Sequence, residues 1–153
     1  IYMGLLSILL GILTNIFLSA LDVQLESKAN SAVGQDGNYI LTRLAADVHK
    51  AASISIPNSL GATGDNFEIV VDGVNYNYSI DANENLVLAN DLGINTLNSY
   101  DSRISSLSVQ RLGNAGKIED NLRINLTITS RTRQQSGFET KNFQTNLGLR
   151  RQW

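Results

Sequence analysis

The chain has 153 residues, 42% of them hydrophobic and 17% charged, with 12 Lys and Arg against 14 Asp and Glu for a formal net charge of -2. This length suits a single domain of roughly 100 to 200 residues, the apolar content excludes disorder, and near-neutral charge without a like-charge block lacks the footprint of a nucleic-acid binder. Because there is no cysteine, disulfide scaffolds, thiolate-bound zinc, iron-sulfur clusters and thiol nucleophiles are excluded together.

Charge is unevenly distributed. Ile1 to Leu21 contains no ionisable side chain, whereas Asp22, Glu26, Lys28, Asp36, Arg43, Asp47 and Lys50 come soon after. A bilayer core about 30 Å thick needs about 20 apolar residues at 1.5 Å each, so this run is long enough to span one. A secretory signal would carry a basic start and a shorter apolar stretch before a site such as Leu18-Ser19-Ala20, and the basic start is absent. A core helix apolar on all sides is too much for one small domain to enclose. The preferred reading is a helix buried in lipid or against copies of itself.

No proline interrupts the chain before Pro57, and helical spacing continues beyond the apolar run. Val33, Ile40, Leu41, Leu44, Ala45, Val48, Ala51 and Ala52 recur at intervals of three and four, forming an apolar stripe, while Gln35, Asn38, Arg43, Asp47 and Lys50 fall largely elsewhere. Residues 1 to about 54 thus read as one rod about 80 Å long, with Gly34 and Gly37 marking a bend or break. The expected divisions are residues 1–21, a hydrophobic helix; 22–54, its amphipathic continuation; and 55–153, a globular sheet domain.

After Pro57 the period changes to two. Phe67 to Val71 and Val74 to Ile80 flank Asp72-Gly73, a strong hairpin signal because a tight primed turn needs positive φ. Further strands are expected at Leu86 to Leu88, Ile104 to Leu112, Leu122 to Thr129 and Glu139 to Leu149. In the fifth of these six, Leu122, Ile124, Leu126 and Ile128 alternate with Arg123, Asn125, Thr127 and Thr129, implying an antiparallel sheet with one wet face. The stripe from Val33 to Ala52 is the natural cover for its dry face. Ala89 to Arg103 is read as a surface loop. The fold class is therefore α+β, a long amino-terminal helix packed on an antiparallel β-sheet, with Val33, Ile40, Leu41, Leu44, Ala45 and Val48 at the helix-sheet contact.

This order of elements resembles the type IV pilins and related pseudopilins. The stretch Gly34 to Ile54, with its Arg43-Leu44 pair, Asp47 and the small residues Ala51, Ala52 and Ser53, is similar to the helix end of many minor pilins and pseudopilins. Phe143-Gln144-Thr145-Asn146-Leu147-Gly148-Leu149-Arg150 likewise resembles their last strand. The family's start, a Gly at the leader cleavage site and then a Phe-Thr-Leu-Ile-Glu-Leu type sequence, has no counterpart here. Ile1-Tyr2-Met3-Gly4-Leu5-Leu6-Ser7 looks like the next part of the family's helix, so about seven residues are expected upstream. The peptidase site, methylated amino terminus and membrane-buried Glu therefore fall on no residue of this chain.

The resemblance implies a structural subunit of a type IV pilus or pilus-like filament, anchored in membrane lipid before assembly. Its partners would be copies of itself in a helical filament, other pilins and the inner-membrane assembly platform with its ATPase. The filament would stand on the bacterial cell surface, serving adhesion, motility or secretion. Ile1, Gly4, Leu5, Ser7, Ile8, Gly11, Ile12, Asn15 and Ile16 are the candidate helix-helix assembly residues, the small ones permitting close approach. The alternatives are a minor pilin or secretion pseudopilin priming assembly, and a single-span anchored extracellular binding domain.

Signals for other chemistry are weak. His49 is the only histidine, which removes His-paired triads and multi-His metal sites, and no phosphate loop or nucleophile elbow occurs. No enzymatic activity and no cofactor are expected. Asp81-Ala82-Asn83-Glu84-Asn85 alternates oxygen ligands like a calcium loop, but Leu86 replaces the Gly and Leu92 the closing acid. Asn77-Tyr78-Ser79 and Asn125-Leu126-Thr127 match the glycosylation sequon inside expected strands. Arg131, Arg133, Arg150 and Arg151 concentrate positive charge near the carboxyl end.

Overall fold

A computed structural model describes residues 2–113, 120–134 and 136–149. Helix α1 (Tyr2–Lys50) is one uninterrupted element of 49 residues, about 74 Å long at 1.5 Å per residue. The expected break at Gly34 and Gly37 does not occur. Gly37 is buried, and a Cβ there would overlap the ring of Phe143, so this glycine admits an aromatic side chain against the helix backbone. That packing offsets its helix-propensity cost of up to ~1 kcal/mol.

The helix ends at Lys50, earlier than the expected residue 54, with His49 and Lys50 in its last turn, where cations complement the helix dipole. The next residues form β1 (Ala51–Ile56). Two local forces favour extension: Ser53, Ile54, Ser55 and Ile56 alternate, and a residue preceding proline is driven out of the helical region. Pairing with a later strand then satisfies the backbone that the helix has released. Ala52, expected on the helical stripe, is exposed.

Eight more strands come after it among the described residues: β2 (Thr63–Gly64), β3 (Phe67–Val71), β4 (Val74–Ile80), β5 (Leu86–Asn90), β6 (Gly93–Thr96), β7 (Ser102–Leu112), β8 (Asn121–Gln134) and β9 (Gly137–Gly148). They form two antiparallel sheets, one ordered β1-β3-β4-β5-β6 and the other β2-β7-β8-β9, where the alternation pattern had suggested one. Asp72 and Gly73 adopt φ of 51° and 82° between Val71 and Val74, which pair, the two-residue turn expected of an Asp-Gly hairpin. Within the expected loop Ala89 to Arg103, β6 pairs with β5 from Val87↔Thr96 to Asn90↔Gly93. All four residues of β6 are exposed, so no in-out alternation marks it in the sequence.

On β8, Leu122, Ile124, Leu126 and Ile128 are all buried, as their spacing requires. The core joins them to Val33, Ile40, Leu44 and Val48 of α1, to Phe67, Ile69, Tyr78, Leu86 and Leu88 of the five-stranded sheet, and to Ile104, Val109 and Leu147. The helix lies mainly on β8 and β9. Among the residues expected at this contact, Leu41 and Ala45 are only half-buried and sit at its margin. The buried line instead runs Ala29, Val33, Gly37, Ile40, Leu44, Asp47, Val48.

Candidate assembly surface

Leu and Met favour a helix, and hydrogen bonding along the helix axis satisfies the backbone without help from water. Tyr2 to Leu21 therefore forms the projecting half of α1, and no part of this apolar window is buried by the rest of the chain. Twelve large apolar side chains from Tyr2 to Leu18 are each more than half exposed, Ile8 at 66% and Phe17 at 62% among them. At about 1.5–3 kcal/mol for each fully buried side chain, leaving them in water forgoes on the order of 10 kcal/mol, comparable to the whole stability of a domain. Water is thus the wrong solvent for this segment.

Its polar side chains behave differently from one another. Ser7 Oγ donates to the Met3 carbonyl at 2.9 Å and Thr14 Oγ1 to the Leu10 carbonyl at 2.8 Å, so both hydroxyls are satisfied within the helix. Among the described residues the Asn15 side chain has no hydrogen-bond partner. Around Gly4 and Gly11 nothing lies within 4 Å of where a Cβ would be, leaving the backbone open to approach. Leu5, Ile8, Ile12 and Ile16 are exposed beside them. Ile1 lies outside the described residues.

The two halves of α1 share one side. At 3.6 residues per turn, Gly4, Ser7, Gly11 and Asn15 fall in line with Asp22 and with Ala29, Val33, Ile40, Leu44 and Asp47, successive members being three, four or seven apart. The side that packs on the sheets above thus continues below as the side bearing the small and amide residues.

The globular half is clamped to this rod by polar contacts as well as by its core. Asp47, which the stripe pattern had placed off the apolar face, is buried at 5% exposure. Arg43 Nε donates to its Oδ2 at 2.7 Å, and the buried Tyr78 hydroxyl donates to the same oxygen at 2.5 Å. Partners on two elements compensate the carboxylate for lost water. Burial first, and then the hydrogen bond to Asp47, push the Tyr78 phenol far above its ordinary range. Its ring stacks on Phe67 with centroids 4.6 Å apart. The Arg43/Asp47 spacing of four was the available sequence signal; the phenol from 31 residues away was not legible.

Asp36 performs a similar task three turns lower on the helix. Its Oδ2 accepts from Ser99 N at 2.9 Å, Ser99 Oγ at 2.7 Å and Ser102 Oγ at 2.5 Å, tying the segment after β6 to the helix. Lys28 pairs with Asp101 at 3.4 Å nearby, above a shallow cleft of about 270 Å³ lined also by Ser31 and Gln35. Lys141 of β9 donates to Asn30, and His49 Nδ1 lies 3.0 Å from the Gly148 carbonyl.

The remaining candidates are absorbed into structure. Asp81 Oδ1 accepts from the amides of Asn83 and Asn85, both at 2.8 Å, and Oδ2 from Asn85 Nδ2 at 3.1 Å. These bonds, that of the Asn85 amide foremost, hold its carboxyl below the usual range, and they close a turn with the oxygens a cation would need. Among the described residues no three His, Cys, Asp or Glu converge as a metal site. Arg131 is consumed in bonds to the Ser102 and Asn83 carbonyls at 3.0 and 2.6 Å; Arg133 is exposed, and Arg150 and Arg151 lie outside the described residues. Arg111, unremarked in the sequence, pairs with Asp120 at 2.7 Å and reaches the carbonyls of Ile54, Pro57 and Asn58. Of the two sequons, Asn125 is exposed on β8 and Asn77 is half-buried on β4.

The chain matches no family model, no curated protein and no solved structure.

Proposed function

We propose that this chain is a structural subunit of a type IV pilus or pilus-like filament, held in a membrane by its projecting helix before assembly and displaying the sheet domain outside the cell. The observation that carries this reading is the uncovered apolar half of α1, twelve large side chains wide, continuous with a half locked into the domain core. Such a rod has two suitable solvents, lipid and other copies of itself, and passing from one to the other requires no refolding of the domain. The pilin-like order of helix and sheet supports the same reading.

In the filament, Gly4, Leu5, Ser7, Ile8, Gly11, Ile12, Asn15 and Ile16 meet neighbouring helices, and the assembly platform delivers each copy from lipid. Electron microscopy of native material tests this directly. The expected result is helical filaments with a central bundle of helices and this chain as the repeating unit. Finding the chain only at filament ends would reassign it to a priming minor pilin or pseudopilin. Particles that stay dispersed in detergent at every concentration would leave a single-span anchored domain.

A further inference from the structure

We propose that Asn15 is the hydrogen-bonding contact through which the projecting helices of two copies recognise one another, an inference that rests on the filament reading and names one of its contacts. Three observations support it. Asn15 is the only amide side chain between Tyr2 and Leu21, and among the described residues it has no hydrogen-bond partner, nor has the Ser19 hydroxyl, whereas Ser7 and Thr14 bond to carbonyls of their own helix. In lipid the Asn15 amide therefore keeps both a donor and an acceptor unmet, and hydrocarbon offers neither. A second copy offers both, through its own Asn15 or the hydroxyls of Thr14 and Ser19.

The surroundings allow that approach. Asn15 lies one turn from Gly11, where no atom stands within 4 Å of a Cβ position, so another backbone can come near. It also sits about 20 Å along the axis from Ala29 at 1.5 Å per residue, where domain packing begins, so its own domain does not cover it. Amides buried between membrane helices contribute modestly to association but select one face and register, because an apolar helix slides on another with little change in energy.

The test uses the full chain in phosphatidylethanolamine-phosphatidylglycerol vesicles. A fluorescent donor or acceptor is placed on a single cysteine at the exposed Leu92, in a chain that has no other cysteine. Energy transfer against protein-to-lipid ratio gives the association constant. Asn15→Leu is expected to weaken association about tenfold, and Asn15→Gln to stay within about threefold of the parent. The double variant Asn15→Leu/Leu13→Asn, which moves the amide to the opposite side, is expected to remain weak.

Unchanged association in Asn15→Leu would overturn the role of the amide while leaving the filament reading intact. Recovery in the double variant would overturn the choice of face. Absence of transfer for the parent at every ratio would remove the filament reading, and this inference with it. The Asn15 and Leu13 substitutions lie in the projecting half, outside the domain core, and the labelled cysteine replaces an exposed Leu92 in every protein compared.

Discussion

The upper and lower halves of α1 obey the same backbone rules and opposite solvent rules. Above Ala29 the helix buries one side, leaves the other wet and even encloses a carboxylate, because Arg43 and Tyr78 reach Asp47. Below Leu21 it carries no ionisable side chain, and no part of its apolar window is buried by its own chain. A leucine in the upper half is held by neighbours, while one in the lower half awaits a surrounding that the chain does not supply. The comparison shows that hydrophobicity by itself does not identify a core residue; what distinguishes Leu44 from Leu13 is the β8-β9 surface opposite Leu44.

The strongest way to break this comparison is to truncate both leucines. Leu44→Ala should cost the domain about 2–5 kcal/mol through lost contacts and a cavity, lowering its melting temperature by roughly 10 °C. Leu13→Ala should leave the domain's melting temperature in detergent unchanged, because no cavity forms in it. Equal shifts in circular-dichroism melts would mean that the lower half is part of the folding unit.

Next in size is the buried carboxylate. Tyr78→Phe removes a donor from Asp47 and should cost about 1–3 kcal/mol. The same bond predicts a pH signature. Since the folded-state pKa of Tyr78 lies above its unfolded value of about 10, the unfolded chain loses this proton first. The associated stability is complete below pH ~10 and falls above it by up to about 1.4 kcal/mol per pH unit. Chemical denaturation between pH 9 and pH 11 should show this decline in the parent and less of it in Tyr78→Phe. Parallel pH profiles would remove the phenol from the account.

The smallest effect sharpens the contrast between glycines. Gly37→Ala drives a Cβ into the Phe143 ring. Overpacking of about 1–3 kcal/mol, partly offset by a gain in helix propensity of up to ~1 kcal/mol, should leave a net loss of about 1 kcal/mol, relieved by adding Phe143→Leu. Gly11→Ala, with open space around it, should not change the domain's unfolding midpoint. A stabilised Gly37→Ala domain would show that Phe143 yields without cost.

Patterns that depend only on which side faces water were legible before any contact was known. The four inward residues of β8, the Asp72-Gly73 turn, the charge-free start of α1 and the stripe through Val33, Ile40, Leu44 and Val48 are of this kind. Each records a local periodicity or a local backbone demand. Harder to read were β6, which is exposed throughout, and Asp47, whose charge argued for the wet side. Gly37 looked like a weak point because its partner Phe143 is more than a hundred residues away in the chain.

For the projecting half of α1, the apolar length was visible from the start, since a span requires only composition and rise per residue. By itself, then, the sequence determined a long helix in two halves, six of the strands and the turn joining two of them, because solvent preference repeats along a chain with the period of its backbone. Only the tertiary structure decided that the strands divide into two sheets, that the helix gives way to β1 at Ala51 and that a carboxylate is enclosed. Those outcomes depend on which distant groups meet, and periodicity carries no information about partners.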